Sequence, residues 1–180
     1  MKIYTKFGDT GETALYGGTR IPKDALQIEA IGTVDELNAY IGYAETFIED
    51  TDISDLLECI QNQLFSLGAD LATPVSHTKS SEMRISANFT IEMEKAIDTF
   101  SDELPPLTNF ILPGGGAAGA VLHVARAVCR RSERCVVRLT REVDVNPEIV
   151  RFLNRLSDLL FVLARVVNHR SQMPEPIWTS

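Results

Sequence analysis

The sequence predicts an all-α protein, a five-helix up-and-down bundle preceded by an extended N-terminal loop. Apolar residues recur at three- and four-residue steps in separate stretches, each the mark of a helix that buries one stripe. No stretch shows the sustained period-two alternation or the strand–helix succession that a sheet requires. The connections between stretches are short or medium, which sets sequential helices antiparallel. At 180 residues the chain fits one domain, long enough to bury a substantial core without metal or disulfide staples. Within 1–180, residues 1–23 form the loop, 24–171 the bundle and 172–180 a C-terminal tail.

Residues 1–23 hold Gly8, Gly11, Gly17 and Gly18 among Thr and Asp and follow neither period. The first helix starts near Asp24 on the stripe Ile28, Ile31, Leu37, Ile41, Ala44 and Ile48, and it stops at the acidic Glu49 and Asp50. Gly32, Ala39 and Gly42 lie inside it. Each glycine costs about 1 kcal/mol of helix propensity relative to Ala, which predicts that another helix packs closely there. Ser54 is placed to cap the second helix, whose stripe from Leu56 to Leu71 ends before Pro74. Residues 74–88, polar and rich in Ser and Thr, predict a long surface loop. Thr90, Met93 and Glu94 make an imperfect capping box for a short third helix on Ile91, Ala96, Ile97 and Phe100, ended by Pro105 and Pro106. The apolar run from Asn109 to Leu112 leads through Pro113 and three glycines into a long fourth helix, from about Gly115 to Arg141. Pro147 suits the first turn of a fifth, striped by Ile149, Phe152, Leu153, Leu156, Leu160 and Leu163 and ending near Arg170.

Composition narrows the function. A formal charge of -8 argues against nucleic acid as a partner, because affinity for a phosphate backbone rests on excess Lys and Arg. No apolar run reaches the ~18 residues of a membrane span, and the opening MKIYTKFGDTGET has neither the apolar core of a signal peptide nor the Arg-rich, acid-poor character of a transit peptide. The expected location is cytoplasmic, with no membrane partner. Three cysteines without a C-x-x-C pair read as reduced thiols, not as a disulfide framework or zinc ribbon.

The chemistry concentrates in two places. On the fourth helix, ARAVCRRSERCVVRL sets Arg126, Arg130, Glu133 and Arg134 on one face at i, i+4, i+7 and i+8. Arginines four apart repel by a few tenths of a kcal/mol, so an anion is the expected compensation, against the plainer reading of a solvated cationic face. In the N-terminal loop, Thr5, Lys6, Gly8, Asp9, Thr10, Gly11 and Thr13 supply hydroxyls, a cation and glycines that turn backbone N–H groups inward, the materials of an anion nest. Asp9 and Glu12 are candidate oxygen ligands for a magnesium ion accompanying phosphates. Together the two regions suggest a two-sided triphosphate site. Asp35 with Asn38, and Asn154 with Asp158, place polar groups at the edge of apolar stripes. His123 and His169 lack a second metal ligand at helical spacing and read as ordinary polar residues. Gly114-x-Gly116-x-x-Gly119 matches the dinucleotide fingerprint in letters alone, because no strand precedes it; it reads as a helix-start turn. No side-chain nucleophile has a base partner, so the nucleophile of any enzyme built here arrives with a substrate.

Four segments jointly resemble one family, the PduO-type ATP:cob(I)alamin adenosyltransferases. They are Tyr4 to Thr13 (YTKFGDTGET), Ile31 to Asn38 (IGTVDELN), Phe110 to Gly115 (FILPGG) with Cys129 to Arg134 (CRRSER), and Leu153 to Phe161 (LNRLSDLLF). The resemblance implies a homotrimer with active sites between subunits. ATP would be wrapped by Thr5 to Thr13 of one subunit, with Lys23 reaching the phosphates, and contacted by Arg130, Glu133, Arg134 and Asn154 of its neighbour. Arg126 would pair with Asp35 across the interface and help shape the corrinoid pocket. Phe110 would press on the lower face of the corrin and exclude the axial base, leaving cobalamin base-off. Arg130, Phe110, Asp35 and Arg126 are the implied catalytic set, Mg2+ the implied metal, and Glu133 its one contact, through water.

In that chemistry cobalt(I) is the nucleophile: it attacks the 5′-carbon of ATP and triphosphate leaves. The expected partners are ATP and cob(I)alamin, a flavin reductase, and an adenosylcobalamin-dependent enzyme that takes the product. The rival reading is a non-catalytic, nucleotide-binding helical-bundle regulator whose arginine face is an interaction surface.

Overall fold

A buried apolar stripe on each of five helices organises the chain in its computed structural model, which describes residues 2–73 and 84–179. The helices are α1 (Leu26–Glu45), α2 (Thr51–Leu71), α3 (Ala87–Ser101), α4 (Ala117–Leu139) and α5 (Pro147–Arg170). Two short strands, β1 (Glu12–Ala14) and β2 (Arg20–Pro22), precede them as an antiparallel pair with Thr13 opposite Ile21. The loop expected from 1–23 thus contains a small hairpin. Gly17 and Gly18, both at positive φ, make its turn.

Packing runs in the order α2, α1, α4, α5, α3. Leu37 and Ile41 of α1, Leu57 and Leu64 of α2, Leu122 of α4 and Phe152 and Leu153 of α5 lie in the core, each no more than 1% exposed. The central helices α1, α4 and α5 are covered on two sides, which gives α5 its long buried series from Ile149 to Asn168.

Helix starts follow the chain, with shifts at α2 and α3. Asn146 caps α5 by accepting from Glu148 N–H at 3.1 Å, with Pro147 in the first turn as expected. Helix α2 begins at Thr51, ahead of Ser54; Asp52 accepts from Ile53 N–H at 3.0 Å, while the Ser54 hydroxyl donates to Glu45 at 2.8 Å. Helix α3 begins at Ala87 after Ser86, so Thr90 lies inside it and caps nothing, and the expected 74–88 loop is shorter at its end. Residues 74–83 of that loop lie outside the described residues. Close packing at the α1 glycines holds for Gly42, where a β-carbon would come within 2.9 Å of Gln61 Nε2, but Gly32 faces open space.

Asp70 fastens α2 to the far side of the bundle. It is 3% exposed, pairs with Arg84 through Oδ1, and through Oδ2 accepts from Ile85 N–H at 3.0 Å and Asn146 Nδ2 at 2.8 Å. A second ionic knot forms where Arg170 at the end of α5 meets Asp50, Asp52 and Glu103 at 2.7–3.1 Å.

Candidate active site

The N-terminal loop folds back on its own hairpin. Asp9 N–H donates to Lys6 C=O at 3.2 Å and Gly11 N–H to Gly8 C=O at 3.2 Å, while Lys23 N–H donates to Gly11 C=O at 2.8 Å. The Lys23 ammonium lies against Gly8, where a β-carbon would come within 2.9 Å of Nζ. Lysine and glycine turn therefore share one place, as an anion site needs. Glu12, a candidate magnesium ligand with Asp9, instead pairs with Arg20 at 3.0 Å, and Arg20 also donates to Phe7 C=O at 3.1 Å. Arg20 is a component that sequence reasoning passed over, because a three-residue strand is too short to display alternation. Below the hairpin a cleft of about 750 Å³ opens between α1 and α2, lined by Thr13, Lys23, Asp35, Asn38 and Phe65. Thr13, Lys23 and Asp35 are thus gathered at one surface. Asp35 is exposed, and its side chain has no hydrogen bond or ion pair among the described residues.

Helix α4 carries five arginines, which divide by whether a carboxylate meets them. Arg131 pairs with Glu36 and Arg138 reaches Glu29 at 3.8 Å, both on α1. Arg126, Arg130 and Arg134 have no carboxylate partner among the described residues. Arg130 and Arg134 are exposed. Arg126 is half-buried with its guanidinium 6.0 Å from the centre of the Phe161 ring. Burial, and then the like charge of Arg130 four residues on, hold its pKa below the usual guanidinium range. Glu133 is half-buried among these cations, and Asn154 Nδ2 from α5 donates to its Oε1 at 3.1 Å. Asp158 on α5 pairs with Arg155 at 3.1 Å. A groove of about 520 Å³ along α4 is lined by Pro113, His123, Arg126, Val128, Arg131 and Arg134. His123 differs from the ordinary polar residue expected. It is 3% exposed, without a hydrogen-bond partner at either ring nitrogen, and burial, seconded by Arg126, lowers its pKa to about 4.

Phe110 stands on a third surface. It is 81% exposed, on a segment that the C-terminal tail flanks like a second strand: Leu112 N–H donates to Pro176 C=O at 2.7 Å, and Trp178 N–H to Phe110 C=O at 2.8 Å. The Trp178 ring meets Phe110 edge-on, centroids 6.4 Å apart. The two rings border a recess of about 740 Å³. Trp178 is the only tryptophan of the sequence, a signal that pointed to the tail and was not read. Gly114 and Gly116 form the helix-start turn that their letters disguised, held by Asn168 of α5, and Gly119 lies against the same side chain from the first turn of α4.

One chain thus brings Glu133 and Asn154 together and gathers Thr13, Lys23 and Asp35; the loop cleft and the arginine groove share no lining residue, and Arg131 of the groove pairs with Glu36, the neighbour of Asp35. Chemically, the arginine face offers uncompensated positive charge, the loop offers amides and an ammonium, and the Phe110 surface offers an apolar plane.

A family model for cobalamin adenosyltransferase matches residues 3–167. A corrinoid adenosyltransferase of Bacillus subtilis (strain 168) is 43% identical over 175 residues, covering 95% of this chain and 89% of that protein. The corrinoid adenosyltransferase MMAB of Homo sapiens is 42% identical over 182 residues, covering 98% of this chain and 73% of its own length. Among solved structures, a variant PduO-type ATP:corrinoid adenosyltransferase from Lactobacillus reuteri, complexed with cobalamin and ATP, superposes with a TM-score of 0.94 at 39% identity over 99% of this chain and 100% of that one.

Proposed function

The chain belongs to the cobalamin adenosyltransferase family, and we propose that it transfers the 5′-deoxyadenosyl group of ATP to the cobalt of a reduced corrinoid. The Co–C5′ bond forms as the C5′–O bond breaks; both electrons of the new bond come from cobalt(I), and triphosphate departs with the electrons of the old one. The observation that carries this reading is the arginine face. Arg130 and Arg134 stand exposed and without carboxylate partners among the described residues, on a chain of net charge -8. Such a face suits a substrate whose leaving group gathers negative charge, and fixed cations there lower the barrier without reorganising.

In the proposed complex the loop residues Thr5, Lys6, Gly8, Asp9, Thr10, Gly11 and Thr13 wrap the nucleotide, and Lys23 reaches its phosphates. Arg130, Arg134, Glu133 and Asn154 of a neighbouring subunit close the site, and Arg126 of that subunit pairs with Asp35. Support for a homotrimer with shared sites lies in the two half-sites lining different clefts of one chain, and in Asp35 and Arg126 having no ion-pair partner there among the described residues. Magnesium suits this donor set. The ion would be held by phosphate oxygens and water, with Glu133, the half-buried acid of the arginine face, reached through water. When bound it supplies charge neutralisation at the phosphates. Phe110 presents an apolar ring to the lower face of the corrin and keeps the axial base away, which eases reduction of cobalt(II). A flavin reductase and an adenosylcobalamin-dependent enzyme stand on either side of this step. We place the protein in the cytoplasm; among the described residues no helix is long and apolar enough to cross a membrane.

The test is direct. Protein, ATP, magnesium and chemically reduced cobalamin are mixed, and the corrinoid absorption spectrum is followed. Conversion to the light-sensitive adenosylated spectrum, dependent on ATP, is expected; an unchanged spectrum with tight ATP binding overturns the reading.

A further inference from the structure

The Phe110 segment has no helix or sheet of its own, yet it is tied to α5 at both ends. Asn168 is 1% exposed. Its Oδ1 accepts from Gly116 N–H at 3.0 Å and its Nδ2 donates to Gly114 C=O at 3.0 Å, so both ends of the amide grip the entry to α4. Its own C=O accepts from Met173 N–H at 2.8 Å, fixing where the tail begins. One turn earlier, Arg165 is 7% exposed, pairs with Glu175 of the tail at 3.1 Å and donates to Pro105 C=O at 3.1 Å. Residues 105–116 are therefore clamped at both ends by two side chains of one helix face, with the tail paired to Phe110–Leu112 between them.

A buried amide is costly unless both its donor and its acceptor are used. Asn168 uses both on backbone groups, which fixes direction as well as distance. The contact has no slack. Gly115 sits at φ 100°, and a β-carbon on Gly119 would come within 2.3 Å of Asn168 Oδ1. An apolar side chain of the same volume could fill the space but could not set the angle of the Gly114–Gly116 turn. What leaves that turn, four to six residues upstream, is the exposed Phe110 ring.

We infer that Asn168 is the positioning residue that aims Phe110, with Arg165 as its second anchor, and that this pair sets how completely the axial base is excluded from cobalt. The inference deepens the proposed function and rests on the role given there to Phe110. Asn168 touches no substrate; it acts through the turn.

Two variants approach the contact from opposite sides. Asn168→Ala removes the grip, and Gly119→Ala, favourable to the helix itself, pushes on Asn168. Each is mixed with ATP and cob(II)alamin, and four-coordinate cobalt(II) is read by electron paramagnetic resonance. Turnover is measured in parallel with cob(II)alamin reduced in situ and with cob(I)alamin supplied. The expected result is a four-coordinate signal and a cob(II)alamin turnover lowered roughly tenfold to a hundredfold, the scale of a 1 Å misplacement, with ATP affinity unchanged and cob(I)alamin turnover lowered less. Combining Asn168→Ala with Phe110→Ala is expected to be no worse than Phe110→Ala alone, since both act on one path. A folded Asn168→Ala or Gly119→Ala protein with the wild-type signal, or losses that multiply in the double variant, overturns the inference while Phe110→Ala still fails. A Phe110→Ala protein with the full signal overturns the role of Phe110 itself, a distinct result. Thermal melting checks folding, and if Asn168→Ala does not fold, Gly119→Ala decides.

Discussion

Asn154 on α5 donates its amide to Glu133 on α4, Nδ2 to Oε1 at 3.1 Å, so the one acid within the arginine face is held by a neutral group. Glu133 is thereby oriented without being neutralised, and its second oxygen remains available. Glu133→Gln keeps the shape and removes the charge. It is expected to weaken ATP binding and flatten the dependence on magnesium, by roughly tenfold to a hundredfold if one charge-assisted hydrogen bond of about 1.5–3 kcal/mol is lost. Calorimetric titration of ATP at several magnesium concentrations checks this; identical curves for variant and wild type would remove Glu133 from the site.

Arg130→Ala should separate activity from stability. The side chain is exposed and has no carboxylate partner among the described residues, so melting is expected to be unchanged. Turnover is expected to fall by about 10²–10³, the scale seen when one preorganised stabilising group is lost. Full activity in the cobalamin assay would sink the assigned role.

Phe110→Ala should also fold, because 81% of the residue is already exposed. ATP binding is expected to persist while turnover disappears when cob(II)alamin must be reduced in the assay. Equal turnover by variant and wild type under those conditions would count against the apolar wedge.

Asp70→Ala tests the fold and not the site. It would take one ionic partner from Arg84, the acceptor from Ile85 N–H and one of two acceptors from Asn146 Nδ2, and breaking a buried pair of this kind costs about 3–5 kcal/mol. Urea unfolding would measure it, and a loss below ~1 kcal/mol would show that Asp70 contributes little to holding α2.

His123 predicts a pH dependence. Its folded-state pKa is lowered to about 4 from 6.5, by burial first and Arg126 second. Between these values the unfolded chain binds a proton that the folded chain refuses, so stability is present above pH 6.5 and declines as pH falls toward 4. Melting temperature followed across that window should fall less steeply in His123→Phe; parallel curves would refute the assignment.

The helices were legible because a stripe at helical spacing leaves one reading, and Pro147 marked a start that the structure keeps. Ser54 misled because Thr51–Ser54 offers several polar starts, and only the tertiary partner Glu45 shows that its hydroxyl is used elsewhere. The hairpin and the tail against Phe110 are backbone pairings of very short segments, and these leave no side-chain period to find. His123 was missed for a different reason. It lies beside Leu122 on a helix whose arginines dominate the pattern, and its burial depends on how α4 meets α5. The family and its reaction were legible through four motifs at once, and the cobalamin adenosyltransferase match bears that resemblance out. From residue physics alone the reach was shorter: an anion site in two halves, with no hint of cobalt.

That Asp35 and Arg126 line different clefts of one chain has a genetic consequence. In the proposed trimer, chains altered at Asp35 and chains altered at Arg126 are each inactive alone, yet a mixed ring contains one junction where an intact Asp35 meets an intact Arg126. Two defective alleles expressed in one cell should therefore complement each other and restore part of the cofactor supply. Two alleles that damage the same half should not.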